Sequence, residues 1–236
     1  MYWIAPDSKE ALRSHWEDSE NRRLLIHNGF TADSVIEYNI DNHGLRNEEG
    51  ACVDDSLLTL GCSFTFGVGL SAQHIWPTLL AKKLKMPLFN GAIAGSSADT
   101  AFRILNTLLK SGRPKAVVCL VPFNARWELI WDHFGPESRY ENFGPWEFWD
   151  MKEYKMLVKA HMNEERNSLN ELKNILGMTK LCENQNIPFI HADLVTEPNG
   201  SLGFKDDWGR DLQHPGRKWH NAIYDKFEQL YIDKHT

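Results

Sequence analysis

None of the four cysteines (Cys52, Cys62, Cys119, Cys182) falls in a CxxC spacing, so zinc ribbons and thioredoxin-like redox pairs have no support. Apolar runs long enough to span a bilayer are missing. The opening stretch "MYWIAPDSKEALRSHWEDSENRR" is too charged, and its apolar part too short, for a secretory h-region. Basic residues are not in surplus: 26 Lys and Arg against 32 Asp and Glu leave a net charge of −6, which argues against a nucleic-acid partner. No Gly-Lys-Ser/Thr follows the glycine-rich turn near residue 61, which excludes a phosphate loop there. His191 and Asp193 lack a third metal ligand. Repeats and low-complexity segments are absent as well. The expectation is a reduced, cytoplasmic protein with no cofactor, no metal, and no membrane or nucleic-acid partner. Its oligomeric state is left open.

What is present fits one globular chain. A length of 236 residues with 42% hydrophobic residues fills a single core. Residues 1–50 read as an N-terminal extension packing on that core. "SKEALRSHWEDSENRRLL" has a helical pattern with Ser8 as its cap, "SVIEYNI" alternates as an exposed strand does, and "DNHG" has turn chemistry. From residue 51 a second pattern begins, of short apolar strands alternating with helices. Strands are expected at 56–62, 87–93, 116–122 and 187–193, and this alternation predicts an α/β fold with a parallel sheet covered on both faces. Ser71 is a candidate cap for the first intervening helix. The second is helical from Ala98, and Gly112 and Pro114 stop it. In the third, Leu169, Leu172, Ile175 and Leu176 form the expected buried stripe, and a last helix starts at about His214.

One stretch interrupts this regularity. Residues 127–155, "WELIWDHFGPESRYENFGPWEFWDMKEYK", hold four of the nine Trp and three Phe, broken by two Gly-Pro steps. They read equally as an insertion with its own hydrophobic cluster or as a cover over a ligand site.

Ligands of open α/β sheets bind beyond the carboxyl ends of the strands. Those ends carry a short inventory: Gly61-Cys62-Ser63, then Gly95-Ser96-Ser97, then Pro122-Phe123-Asn124, and His191-Ala192-Asp193. Farther on, "RDLQHPG" places Asp211 three residues before His214. A serine hydroxyl becomes nucleophilic when a base takes its proton, and histidine is the side chain best tuned for that near neutral pH. Asp211 is close enough to hold one ring nitrogen of His214. The N–H groups of Ser63 and Gly95 and the amide of Asn124 would supply three donors to an oxyanion. Phe64, Arg126 and Trp127, beside Ser63 and Asn124, are the candidate substrate contacts. The bland alternatives are a tight turn at Ser63, a helix cap at Asn124, and a packing or surface role for His220.

These four blocks, "LGCSFTFG", "FNGAIAGSSADT", "VPFNARWE" and "DLQHPG", occur in the order of the SGNH (GDSL-type) hydrolase superfamily, which the sequence resembles from about residue 56 to 220. "YNIDNHGLR" is similar to a lead-in found in some bacterial and phage members. The resemblance implies a flavodoxin-like three-layer α/β/α sandwich and a serine esterase working through an acyl-serine intermediate, with Ser63, Asp211 and His214 catalytic. An O-acyltransferase using the same triad is the neighbouring expectation, and a non-catalytic glycan-binding protein the expectation from another class. The sequence departs from the family at Cys62, where an Asp is usual, and at "PFNA", where "GxND" is usual; both leave the substrate open. The Trp-rich stretch suggests a small-molecule or carbohydrate ester, such as an O-acetylated sugar.

Overall fold

Four parallel strands lie in the order β2-β1-β3-β6, where β1 is Leu57–Leu60, β2 Leu88–Asn90, β3 Ala116–Val121 and β6 Phe189–Asp193. All four fall where the apolar runs predict them. The computed structural model describes residues 7–131, 139–144, 156, 159, 163–194 and 206–235. Alternate strand residues face opposite layers. Leu57, Val118, Leu120 and Ile190 pack with Trp76 and Leu80 of α4 (Trp76–Leu84) and Ile223 and Phe227 of the terminal helix α7 (Arg217–His235). Leu58, Leu60, Val117 and Cys119 pack on the other side with Leu105 of α5 (Ala98–Leu108) and Met178 and Cys182 of α6 (Glu164–Glu183). Two helices on each face make the three-layer α/β/α sandwich, and the strand order is that of flavodoxin-like sheets. Trp76 and Phe227 are fully buried with ring centroids 4.7 Å apart, and burial of each contributes about 2–3 kcal/mol.

Local chemistry explains most helix boundaries. Ser97 and Thr100 form a capping box at the start of α5. Ser71 precedes a 3₁₀ turn, Ala72–His74, without capping it through its side chain. The first N–H of α4, at Trp76, instead donates to Nδ1 of His220 at 3.1 Å. His220 is thus a buried packing residue rather than a surface one, and burial holds its imidazole neutral, with its pKa lowered to about 3. The terminal helix begins at Arg217, three residues later than the pattern predicts. Pro215 pairs with Trp208 in an isolated bridge, and the Asp207 carboxylate accepts from the N–H groups of Lys218 and Trp219. Three cysteines, Cys62, Cys119 and Cys182, are free and buried, and burial pushes the thiol of Cys182 up to about 12.

The N-terminal region departs from its pattern twice. The single helix expected there is two, α1 (Lys9–Glu17) and α2 (Ser19–His27), because Asp18 ends the first in an extended conformation and caps the second through Glu20 and Asn21. Ser8 caps α1 as expected, accepting from Ala11 N at 3.0 Å. "SVIEYNI" forms no strand and makes one isolated bridge, Ile40 with Arg46, across the turn at Asp41–Gly44. Alternation there reflects Ile36 packing into a small cluster with Leu12, Leu25 and Leu70, not sheet pairing.

The largest correction concerns α6. Leu169, Leu172 and Leu176 are 59%, 52% and 59% exposed, and the helix buries Asn167, Asn170, Asn174, Met178 and Cys182 instead. Ile175 alone of the expected stripe packs on the core. The reason is Asp99 at the start of α5, whose carboxylate accepts from Asn170 at 3.0 Å and Asn174 at 2.8 Å. Buried amides with such a partner cost little, because their hydrogen bonds to water are replaced by bonds to the carboxylate.

Within the aromatic stretch, β4 (Trp127–Trp131) and β5 (Arg139–Phe143) form an antiparallel hairpin; residues 132–138 and 145–155 lie outside the described residues. Glu128 ties the hairpin to α5. It takes hydrogen bonds from Arg103 Nε at 2.7 Å and Nη2 at 2.7 Å, and the Thr100 hydroxyl lies within hydrogen-bond distance of both Glu128 at 3.1 Å and Asn142 at 2.7 Å. The Glu128 side chain is 4% exposed. Substituting Glu128→Gln leaves Arg103 without its counter-charge and is expected to lower stability by about 1–3 kcal/mol, read from the midpoint of urea unfolding.

Candidate active site

β1 lies between β2 and β3, so the chain leaves it in one direction and returns on the other side. The crevice beyond the carboxyl ends of β1 and β3 is therefore the switch point where such sheets bind ligands. After β1 the backbone turns sharply through Gly61 at φ +149° into a one-turn helix, α3 (Ser63–Phe66), which Ser63 opens. Only glycine fits at that bend: a Cβ at residue 61 would lie 2.2 Å from Thr65 Oγ1 and 2.8 Å from the Leu120 carbonyl. Gly61→Ala is accordingly expected to cost at least about 2 kcal/mol, measured as a lowered guanidinium midpoint.

Gly95 stands in the left-handed region at φ +77°, on the turn after β2. That turn is fastened to the serine block, with Ile93 N and Ser96 Oγ both donating to the Gly61 carbonyl at 3.2 and 3.0 Å. Asn124 lies half-buried in the turn between β3 and β4. Arg126 reaches from the same turn to the Ser96 carbonyl at 3.4 Å and lies over the Phe123 ring. Blocks one, two and three thus meet at one edge of the sheet.

The fourth block arrives from the loop before α7. Asp211 Oδ2 and His214 Nδ1 are 2.5 Å apart, and Asp211 Oδ1 accepts from the N–H groups of His214 at 3.2 Å and Gln213 at 3.3 Å. The Asp211 side chain is 0% exposed and that of His214 15%, so the carboxylate is sealed while the imidazole keeps an open rim. Burial works against the Asp211 charge, but the hydrogen bond and charge of His214 and the two backbone N–H groups outweigh it and hold the carboxyl below its ordinary value. Phe64, the residue after Ser63, meets the His214 ring edge-on with centroids 5.7 Å apart. Its ring also contacts Trp219 at 5.4 Å and Phe123 at 6.1 Å. Beyond α3, Gly69 abuts Asp211: a Cβ there would meet Oδ1 at 2.8 Å.

Of the residues expected from sequence, Ser63, Phe64, Gly95, Asn124, Arg126, Asp211 and His214 converge on this edge. Trp127 is directed to α6, where its indole N–H donates to Asn167 at 2.9 Å and its ring lies under Arg166. His191 and Asp193 are exposed on β6. Asn90, fully buried, was not foreseen. It donates to the Thr65 carbonyl at 3.2 Å, and its own N–H donates to Asn47 at 2.7 Å. Its signal lay in the second block itself, "FNGA", where an amide closes an otherwise apolar strand. Among the described residues no cluster of three or more His, Cys, Asp or Glu could hold a metal, and no helix is long and apolar enough to cross a membrane.

No family model and no curated protein matches the sequence. Solved structures to which the chain is similar include esterases, lipases and acylhydrolases. One is the psychrotrophic esterase EstA from a Pseudoalteromonas species, at 18% identity over 76% of this chain and 98% of that one, with a TM-score of 0.46. Another is TesA, at 14% identity over 74% and 97% of the two chains, TM-score 0.49. A third is a GDSL-like lipase from Bacteroides thetaiotaomicron, at 14% identity over 77% and 89%, TM-score 0.37.

Proposed function

We propose that this protein is a serine hydrolase of carboxylic esters of the SGNH type. The observation that carries this reading is the sealed Asp211 carboxylate on His214 Nδ1, with that imidazole packed edge-on with Phe64, the residue that follows Ser63. In this reading Ser63 Oγ attacks the acyl carbonyl as its proton passes to His214 Nε2. The N–H groups of Ser63 and Gly95 and the Asn124 amide stabilise the oxyanion. His214 then returns the proton to the leaving alcohol, giving the acyl-serine. Water, deprotonated by the same imidazole, releases the acid and restores the hydroxyl.

Phe123 and Trp219, half-buried around the core ring of Phe64, stand beside the imidazole and suit a short acyl chain or a flat sugar face, which supports an O-acetylated carbohydrate as substrate class. The test is hydrolysis of short-chain p-nitrophenyl esters together with fluorophosphonate labelling. Turnover and a label on Ser63 are expected, and neither in the Ser63→Ala protein. Faster acyl loss on addition of a sugar acceptor would move the reading to an O-acyltransferase. Sugar binding with neither turnover nor label would replace it with a glycan-binding role.

A further inference from the structure

The four blocks leave residues 7–46 without a part in the chemistry, yet a buried chain of polar contacts runs from there to the site. Asp7 and Arg210 form an ion pair at 2.7 Å, with side chains 1% and 4% exposed. Arg210 also donates to the Asp7 carbonyl at 2.9 Å and the Ser34 carbonyl at 2.7 Å. The Tyr38 hydroxyl donates to Asp7 Oδ2 and accepts from Gly69 N at 2.9 Å. Arg46 lies over the Tyr38 ring and donates to the carbonyls of Phe66 at 3.1 Å, Gly67 at 2.6 Å and Leu70 at 2.8 Å.

These contacts share a target. Arg46 holds the carbonyls just beyond the one-turn helix that Ser63 opens. Arg210 immediately precedes Asp211, and its own N–H donates to the Gly69 carbonyl at 2.9 Å. Gly69 is the junction, with its N–H on Tyr38, its carbonyl on Arg210 and its Cα face against Asp211. The Ser63 turn and the Asp211–His214 loop meet at Gly69 as well as through the Phe64 and His214 rings, and the Gly69 junction is fastened by the N-terminal segment. A buried ion pair seldom stabilises more than apolar residues of the same volume would. What such a network supplies is fixed geometry, and a site that needs a hydroxyl, an imidazole and a carboxylate aligned depends on that.

We infer that Tyr38, with Asp7, Arg46 and Arg210, positions the Ser63 turn against the Asp211–His214 loop, so that the N-terminal segment is a working part of the active site. This rests on the reading of Ser63, His214 and Asp211 given above. The decisive variant is Tyr38→Phe, which keeps the ring under Arg46 and deletes only the hydroxyl between Asp7 and Gly69. Its kcat for a p-nitrophenyl ester is expected to fall about 10-fold or more with KM within about twofold, and the ring ¹⁵N resonances of His214 to move.

Met178→Ala, which hollows the separate core cluster between α6 and the sheet, is the control: its Tm should fall while kcat and those resonances stay. If Tyr38→Phe does not fold, Arg46→Lys takes its place, keeping a cation beside the Gly67 carbonyl while giving up the fork. The inference is overturned if the network variant behaves as the control does, with a lower Tm, unchanged kcat and unmoved resonances. Should the wild-type protein hydrolyse no ester, the functional reading falls, and the His214 resonances alone then decide whether the segment positions that loop.

Discussion

Replacing Ser63 with alanine is expected to lower ester turnover by on the order of 10⁴-fold or more, with KM little changed. In the proposed mechanism the hydroxyl oxygen forms the acyl bond, and alanine offers no nucleophilic atom in its place. Stability should hardly move. Ser63 opens a turn whose hydrogen bonds use the carbonyls of Cys62 and Ser63 and the N–H groups of Thr65, Phe66, Gly67 and Val68, all of which alanine retains. Steady-state kinetics on p-nitrophenyl acetate alongside a thermal melt separate the two quantities. An alanine variant as active as the parent would remove the acyl-serine from consideration, whatever the position of His214.

Exchanging Asp211 for asparagine is expected to cost about as much, on the order of 10⁴-fold in kcat, for a different reason. The carboxylate accepts from the His214 ring and from the N–H groups of residues 213 and 214. An amide preserves much of this shape but presents a donor where the ring needs an acceptor, so the imidazole is held in the wrong tautomer and an imidazolium loses its counter-charge. The same substitution has a signature in stability. Because the folded-state pKa of Asp211 lies below its ordinary 3.8, the group's contribution is complete above that value and is lost as the pH falls through the lowered one. Urea unfolding of the parent below pH 4 should therefore show a decline that Asp211→Asn flattens. A parent and variant with parallel profiles would mean that the carboxylate gains nothing from the histidine.

The legible parts of this protein were those governed by short-range chemistry. Strand runs such as "AVVCLV" are apolar throughout because both faces of β3 are covered, so composition alone announces them. Ser97 with Thr100, and the turn at Asp41–Gly44, are local hydrogen-bond patterns that any chain with those residues favours. Asp211 and His214 pair across three residues, which the spacing permits without help from the fold.

Other features depend on partners distant in the chain, and pattern cannot supply those. The leucines of α6 read as a buried stripe, yet three asparagines hold that place because Asp99 and Trp127, between 40 and 75 residues earlier, offer their hydrogen bonds. "SVIEYNI" alternates like a strand, but among the described residues its pairing stops at the single Ile40–Arg46 bridge. Trp127 stands three residues after Asn124 in sequence, and a hairpin carries its indole to α6.

Sequence by itself thus determined the strands, the bends that end them and the identity of the side chains delivered there, since apolar runs, glycines and short polar spacings carry their own energetics. Tertiary structure alone decided which polar groups could be buried and what fastens the Ser63 turn to the loop of Asp211 and His214. A carboxylate or guanidinium goes inside only where a complementary group meets it, and for Arg210 that group is Asp7, 203 residues away along the chain.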